Sequence, residues 1–398
     1  MSREQIDIFI SGAGIAGLTA GIALAQHGFS VVIADPTTPP KDNAASDADL
    51  RSTAFLQPAR DLLEDAGLWP QLAAHATPLE ALRVINLHDS PPRIATERTF
   101  TASDLDAPAF GWNLPNWLTR KVLTQAAAKT PGLLLKSGTG FKSLLTRERE
   151  ALIGLSDGTR LSARLALAAD GRGSPLREAA GLPVRTTRYG QKAIACAVRH
   201  DLPHHCVSTE LYDAGGAFVL VPLPDHNDAP ASAVVWMQDG AEAQRLAALD
   251  ATAFGTAATE RSAAVLGALS PITARHVWPV VTQTAERLVA ERVALLAEAA
   301  HVMPPIGAQG LNTSLQDVRA LCDAAVATPD DIGTRGFLER YAKARVRDVA
   351  ARARVIDLYN RLCRSDAPPA QAARSLGLKL VHDVTPVRRR VMRAGMGG

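Results

Sequence analysis

The chain predicts an α/β fold: a Rossmann-like nucleotide-binding domain interleaved with a β-sheet domain, followed by a helical C-terminal extension. Three observations carry this. Gly12-Ala13-Gly14-Ile15-Ala16-Gly17 joins an apolar strand to an apolar helix near the start, β-prone runs cluster between Lys192 and Val235, and after Val318 the pattern is almost wholly helical.

Ile6, Ile8, Phe9 and Ile10 read as the first strand, and Leu18, Ile22 and Ala25 recur at helical spacing until Gly28 stops the helix. Ser30 to Asp35 follows as a second buried strand, so the opening is a βαβ unit with its glycine turn at a helix N-terminus. Thr37 to Asp49, rich in Pro, Asp and small residues, reads as a loop, and helical signal returns from Gln57 to Trp69. Leu133 to Leu135 predicts a short strand; Ala151 to Leu155 and Leu161 to Ala169 predict two more, turned at Asp157-Gly158. Ala193 to Val198, Ala217 to Leu223 and Ala231 to Trp236 form a separate sheet suited to binding a substrate. In the C-terminal region Val355, Leu358, Tyr359 and Leu362 recur at helical spacing between basic residues.

At 398 residues the chain exceeds what one core usually serves. A net charge of +3, with no basic groove interleaved with aromatics, points away from nucleic acid. Cys196, Cys206, Cys322 and Cys363 are scattered, without zinc or disulfide spacing, which fits a reducing cytosol, and His204 and His205 lack metal-like partners, so no metal is expected. The apolar run Ile8 to Ala25 contains close glycines and lacks a basic leader, so it is strand and helix rather than a signal or a span. Any membrane contact would be peripheral, at the inner face.

In the glycine motif, small residues let the backbone approach a pyrophosphate whose charge the helix N-terminus favours, and Asp35 is the expected acceptor for ribose hydroxyls. That motif leaves FAD and NAD open. Asp170-Gly171-Arg172-Gly173-Ser174-Pro175-Leu176-Arg177 lies midway along the chain. Ala297-Glu298-Ala299-Ala300-His301-Val302-Met303-Pro304-Pro305-Ile306-Gly307-Ala308-Gln309-Gly310-Leu311-Asn312 precedes a helical pattern. A helix beginning near Leu311 and Asn312 can aim its N–H groups at a ring that gains negative charge on reduction.

This ordered trio resembles the class A flavoprotein monooxygenases, and Gly111-Trp112-Asn113-Leu114-Pro115-Asn116, Tyr189-Gly190-Gln191 and the terminal Arg388 to Gly397 resemble their ubiquinone-biosynthesis (2-polyprenylphenol) hydroxylase branch. The resemblance implies bound FAD, NAD(P)H as reductant, O2 as co-substrate, and insertion of one oxygen atom into a polyprenylated phenol. It implies FAD contacts at Gly12, Ala13, Gly14, Ile15, Ala16, Gly17, Asp35, Arg51, Arg120, Asp170, Glu298, Gly310, Leu311 and Asn312, with Pro305, Ile306 and Gly307 as the turn at the flavin edge. No side chain is assigned as acid or base, and His301 reads as a packed, hydrogen-bonded residue. The implied partition is FAD-binding parts at 1–75, 111–185 and 281–335, substrate-domain parts at 76–110 and 186–280, and a helical region at 336–398.

Two departures stand out. The family commonly has Gly-Asp where this chain has Ala297-Glu298, and Asn-Leu-Gly where it has Asn312-Thr313-Ser314. Glu298 keeps a carboxylate, while an alanine at the glycine position calls for negative φ. A class A hydroxylase of another aromatic substrate, and a non-catalytic flavin-fold subunit of a biosynthetic assembly, are the alternative readings. A polyprenylated substrate brings in a biosynthetic complex or a membrane surface as partner, with Arg388, Arg389, Arg390 and Arg393 as the contact surface.

Overall fold

The computed structural model describes residues 4–39, 49, 51–89, 91–213, 215–365 and 367–396. Most of the loop expected from Thr37 to Asp49, Leu50 beside Arg51, and Gly397 of the terminal motif lie outside the described residues.

The first strand, Glu4–Ser11, pairs in parallel with Val31–Asp35 on one side and with Arg160–Ala168 on the other. Leu133–Ser137 and Val293–Leu295 extend this parallel sheet at either side. The helix Ile15–Gln26 connects the first two strands and is buried from Ala16 to Ala25. It is apolar all round because helices Asn116–Ala127 and Gln309–Ala327 pack against it as well as the sheet. Glu150–Leu155 and Arg160–Ala168 are the expected hairpin. Gly158 supplies the positive φ in its turn, and Asp157 Oδ1 accepts the Thr159 N–H at 2.9 Å.

A second, mostly antiparallel sheet contains Ala81–His88, Arg93–Thr101, Val184–His200, Val207–Asp213, Gly216–His226, Ala229–Asp239 and His276–Ala285. Both faces are covered. Ile194, Val198, Leu211, Phe218 and Trp236 pack under helices Gly240–Ala248 and Ala251–Arg261. Val84, Tyr212, Val219 and Met237 on the other face meet Ile306, Cys363 and Met392. A small sheet of Ser52–Leu56, Thr77–Leu79 and Gly111–Pro115 stands between the two large ones. Asn113 Nδ2 donates to the Pro222 carbonyl at 2.8 Å and so ties it to the second sheet.

Several local expectations are corrected. The helix read across Gln57 to Trp69 is two, Gln57–Asp65 and Trp69–Ala73, because Gly67 turns the chain at φ +66° between them. The strand His276–Ala285 crosses the expected boundary at residues 280 and 281. In the long helix Arg335–Arg364 the buried face is Phe337, Leu338, Tyr341, Arg345, Val349, Ala353, Ile356, Asn360 and Cys363. Val355 and Leu358, read as its packing stripe, are 67% and 69% exposed. The buried stripe holds Arg and Asn, which a count of apolar residues passes over.

Candidate functional site

The glycine turn is built from backbone. A Cβ on Gly12, which sits at φ +105°, would lie 2.4 Å from the Ala169 carbonyl oxygen, and one on Gly17 would lie 2.1 Å from the Gly12 carbonyl oxygen. Glycine alone fits either place. Gly14, at the N-cap of Ile15–Gln26, has open space where its Cβ would be, and no side chain caps the helix. Free N–H groups therefore face a clear approach, the arrangement an anion needs.

Asp35, at the end of the second strand, accepts the Ala13 N–H at 2.7 Å through Oδ2 and the Thr37 N–H at 2.8 Å through Oδ1. Arg120 donates to the Ala13 carbonyl at 3.0 Å and to Thr37 Oγ1 at 2.9 Å, and stands 3.6 Å from Asp35 Oδ1. Asp170 abuts the same turn. Its Oδ2 accepts Ser11 Oγ at 2.8 Å and the Leu176 N–H at 3.3 Å, whereas Oδ1 is buried with no hydrogen bond. Burial pushes this carboxyl's pKa up, against the hydrogen bonds it accepts. Ser174 caps the next short helix by accepting the Arg177 N–H at 3.0 Å, so this segment has a structural task as well.

Arg51 lies further along. It grips Asp49 with two hydrogen bonds of 2.8 Å and sits 4.6 Å above the Trp278 ring, half of which is open to solvent. Burial works to lower its pKa, but the hydrogen bonds and charge of Asp49, aided by the charge of exposed Glu298, leave it raised. Arg51 and Glu298 are therefore within electrostatic reach.

At the other end of the site, the helix Gln309–Ala327 starts two residues earlier than expected, on Ala308 in the left-handed region at φ +54°, preceded by Gly307 at φ +60°. Its N-terminus also lacks a side-chain cap. The Asn312 side chain is spent on structure: Oδ1 accepts the Leu56 N–H at 2.8 Å, and Nδ2 donates to Ala54 and Ala308 carbonyls at 2.7 and 2.6 Å. Only its backbone N–H remains for a ligand. Gln309 Nε2 bridges the Gly307 and Gly395 carbonyls at 2.9 Å each, and Arg352 donates to Gln309 Oε1 at 2.9 Å. A nucleotide with a redox ring fits these residues, since an uncapped helix at each end and the buried Asp170 Oδ1, which has no hydrogen bond, await partners.

The chain matches the FAD binding domain family over residues 5–355. It is 32% identical to the ubiquinone hydroxylase UbiL of Rhodospirillum rubrum over 394 residues, 98% of this chain and 89% of the relative. The chain belongs to the FAD-dependent ubiquinone-biosynthesis hydroxylases. The 3-demethoxyubiquinol 3-hydroxylase of Escherichia coli is 24% identical over 401 residues, all of both chains. Among solved structures, p-nitrophenol 4-monooxygenase PnpA of Pseudomonas putida shares the fold with a TM-score of 0.80 at 17% identity, covering 99% of each chain. The protein is thus an FAD-dependent monooxygenase.

One expectation about the hydroxylase is overturned. Ala297 adopts φ +54°, not a negative value. Asp317 contacts this turn: its Oδ2 accepts the Ala297 N–H at 3.1 Å and His301 Nε2 lies 2.6 Å away, while Oδ1 takes Arg345 Nε at 2.7 Å. This buried trio joins the Ala297–Ala299 turn, the strand His301–Val302 and the helices Gln309–Ala327 and Arg335–Arg364. Sequence reasoning placed His301 as a packed residue but missed Asp317, Arg345 and Trp278, whose partners are distant along the chain. The four C-terminal arginines also divide. Arg388 and Arg389 reach back to Asp104 at 3.1 and 2.7 Å, and only Arg390 and Arg393 lack partners among the described residues.

Proposed function

We propose that this hydroxylase inserts one oxygen atom from O2 into the ring of a polyprenylated phenol in ubiquinone biosynthesis, drawing electrons from NAD(P)H. The observation that supports the substrate class is the face of the second sheet toward the Pro305-Ile306-Gly307 turn, where Val84, Val219 and Met237 pack with Ile306 in one apolar cluster. The names of the relatives support the same class.

FAD, when bound, supplies the activation of oxygen. Its holders are the uncapped helix at Gly12, Ala13, Gly14, Ile15, Ala16 and Gly17, with Arg120 over the turn, for the pyrophosphate. Asp35 retains lone pairs for ribose hydroxyls beyond its contacts to Ala13 and Thr37. The unpaired Asp170 Oδ1 and exposed Glu298 suit ribityl hydroxyls, with Arg51 beside Glu298 as a cation facing the cofactor. N–H groups of Gly310, Leu311 and Asn312 favour negative charge on the reduced ring. The apolar sheet face excludes water. Deleting the gene and identifying the accumulating quinone precursor by mass spectrometry tests the reaction; a normal quinone pool overturns it.

For delivery of so apolar a substrate we infer contact with an anionic membrane surface. No helix among the described residues is long and apolar enough to cross a bilayer. Leu376, Leu380, Val384, Val387 and Val391 are each exposed by 41% or more on the last two helices, Pro368–Asp383 and Thr385–Met396, and at the joint between them, beside the unpaired Arg390 and Arg393. Replacing Leu376 and Leu380 with Gln should cut flotation with anionic liposomes while FAD content is kept. Equal flotation of variant and wild type would remove this surface from consideration.

A further inference from the structure

Among the described residues only two acids are buried, Asp317 and Glu210. Asp317 is answered by Arg345. Glu210 faces no cation, and a buried acid without one is costly enough that its presence calls for a task.

Glu210 stands on the strand Val207–Asp213, opposite Val84 and Val219, and therefore projects into the apolar cluster that meets Ile306. Its Oε2 accepts the Tyr212 hydroxyl at 2.5 Å. The backbone N–H of Gly307, in the turn assigned to the flavin edge, favours its charged form. Tyr359 of the helix Arg335–Arg364 packs edge-on against Tyr212, its ring centre 5.5 Å away, with Cys363 one turn further on. Arg374 of the next helix acts on Cys363 and not on Glu210.

We propose that Glu210 is the proton acceptor for the substrate's phenolic hydroxyl, held in place by Tyr212. This rests on the phenol reading above. As the ring carbon takes its oxygen atom, the phenolic O–H bond breaks, the proton passes to Glu210 and the electron pair stays with the ring. The hydrogen displaced from that carbon moves to the ring oxygen and restores an aromatic diol. The proton on Glu210 goes to the second atom of O2 as it leaves as water, with the electrons that NAD(P)H has given up. An acceptor placed this way raises the ring's electron density at the moment of attack.

The pH dependence follows from the same neighbours. Burial pushes the Glu210 pKa up, and the Tyr212 hydroxyl and Gly307 N–H pull it back only in part. The other groups facing it stay protonated at neutral pH, because burial drives Tyr212 and Tyr359 well above their ordinary values and Cys363 up to about 12. A rising limb above the ordinary glutamate range therefore belongs to Glu210.

The test uses FAD-loaded protein and 2-geranylphenol in detergent micelles. Phenol affinity is read from the perturbed flavin spectrum without reductant, and turnover from product formed per NAD(P)H across pH. Glu210→Gln should keep its FAD, weaken phenol binding about tenfold, lower kcat about a hundredfold and lose the rising limb. Tyr212→Phe, which removes one hydroxyl and keeps the ring, should move that limb up by about one pH unit. Wild-type phenol affinity and an unchanged limb in Glu210→Gln would overturn the proposal. If wild-type protein binds no phenol at all, the substrate reading fails and the proposal falls with it.

Discussion

The two ends of the cofactor site are made differently. At the glycine turn the signature is local: Gly12, Gly14 and Gly17 are read within six residues, and what Gly12 and Gly17 need is backbone clearance, from Ala169 at the end of the neighbouring strand and from Gly12 itself. At the flavin-edge turn the constraints arrive from afar. Gln309 reaches Gly395, Arg352 reaches Gln309, Asn312 reaches Ala54, and Glu210 lies under Gly307. A turn that must approach a phosphate needs only the absence of side chains, whereas a turn that must hold a reacting edge against a substrate sheet needs side chains from several elements.

This difference sets what could be read from the sequence. The βαβ opening, the hairpin at Asp157-Gly158 and the three motifs were legible because backbone requirements leave short signatures. Strands such as Ala81–His88, Arg93–Thr101 and Val207–Asp213 were not. They sit in a sheet buried on both faces or carry charged residues at its rim, so neither alternation nor a clean apolar run marks them. Glu210 and Asp317 were invisible for a related reason: a lone acid in a strand or helix looks like surface until its neighbours are known.

The largest effect is expected in the flavin-edge half, at its buried charged cluster. Asp317→Ala removes the carboxylate shared by Ala297, His301 and Arg345 and leaves Arg345 buried without its main partner, which should cost about 3–5 kcal/mol. Burial opposes the charge on Asp317, yet His301 and Arg345 hold its pKa below the ordinary 3.8. A depressed carboxylate stabilises the fold fully above that value and gives the stability back as pH falls through its lowered one. Acid unfolding of the wild type followed by circular dichroism should therefore steepen below about pH 4, and Asp317→Asn should flatten that limb. Identical acid profiles would mean that the charge is immaterial and that only packing holds these elements together.

A smaller effect belongs to the backbone-built end. Gly17→Ala puts a Cβ 2.1 Å from the Gly12 carbonyl oxygen, and the turn must open to admit it. The cost should be about 1–3 kcal/mol, with FAD lost more readily than the fold. Gly14→Ala meets open space and is the control for stability, since its methyl enters only the volume proposed for the phosphates. It should keep the melting temperature and still weaken FAD. Equal FAD affinity in Gly14→Ala and wild type would show that the phosphates lie elsewhere.

The smallest effect has the opposite sign. Ala297 sits at φ +54° with the Asp317 carboxylate on its N–H, in a region that costs a residue with a Cβ about 1–2 kcal/mol. Glycine escapes that strain but loses more freedom on folding, about 0.5–1 kcal/mol. Ala297→Gly should thus stabilise the protein by about 0.5–1 kcal/mol, a rise in melting temperature of about 1–2 °C. The comparison sharpens with Asp317→Asn as background. If the carboxylate imposes the left-handed turn, weakening its grip lets Ala297 relax, and the gain from glycine should shrink. A gain of the same size in both backgrounds would mean that the turn is imposed by its own neighbours in sequence. The flavin-edge half would then owe its shape, at this residue, to local sequence after all.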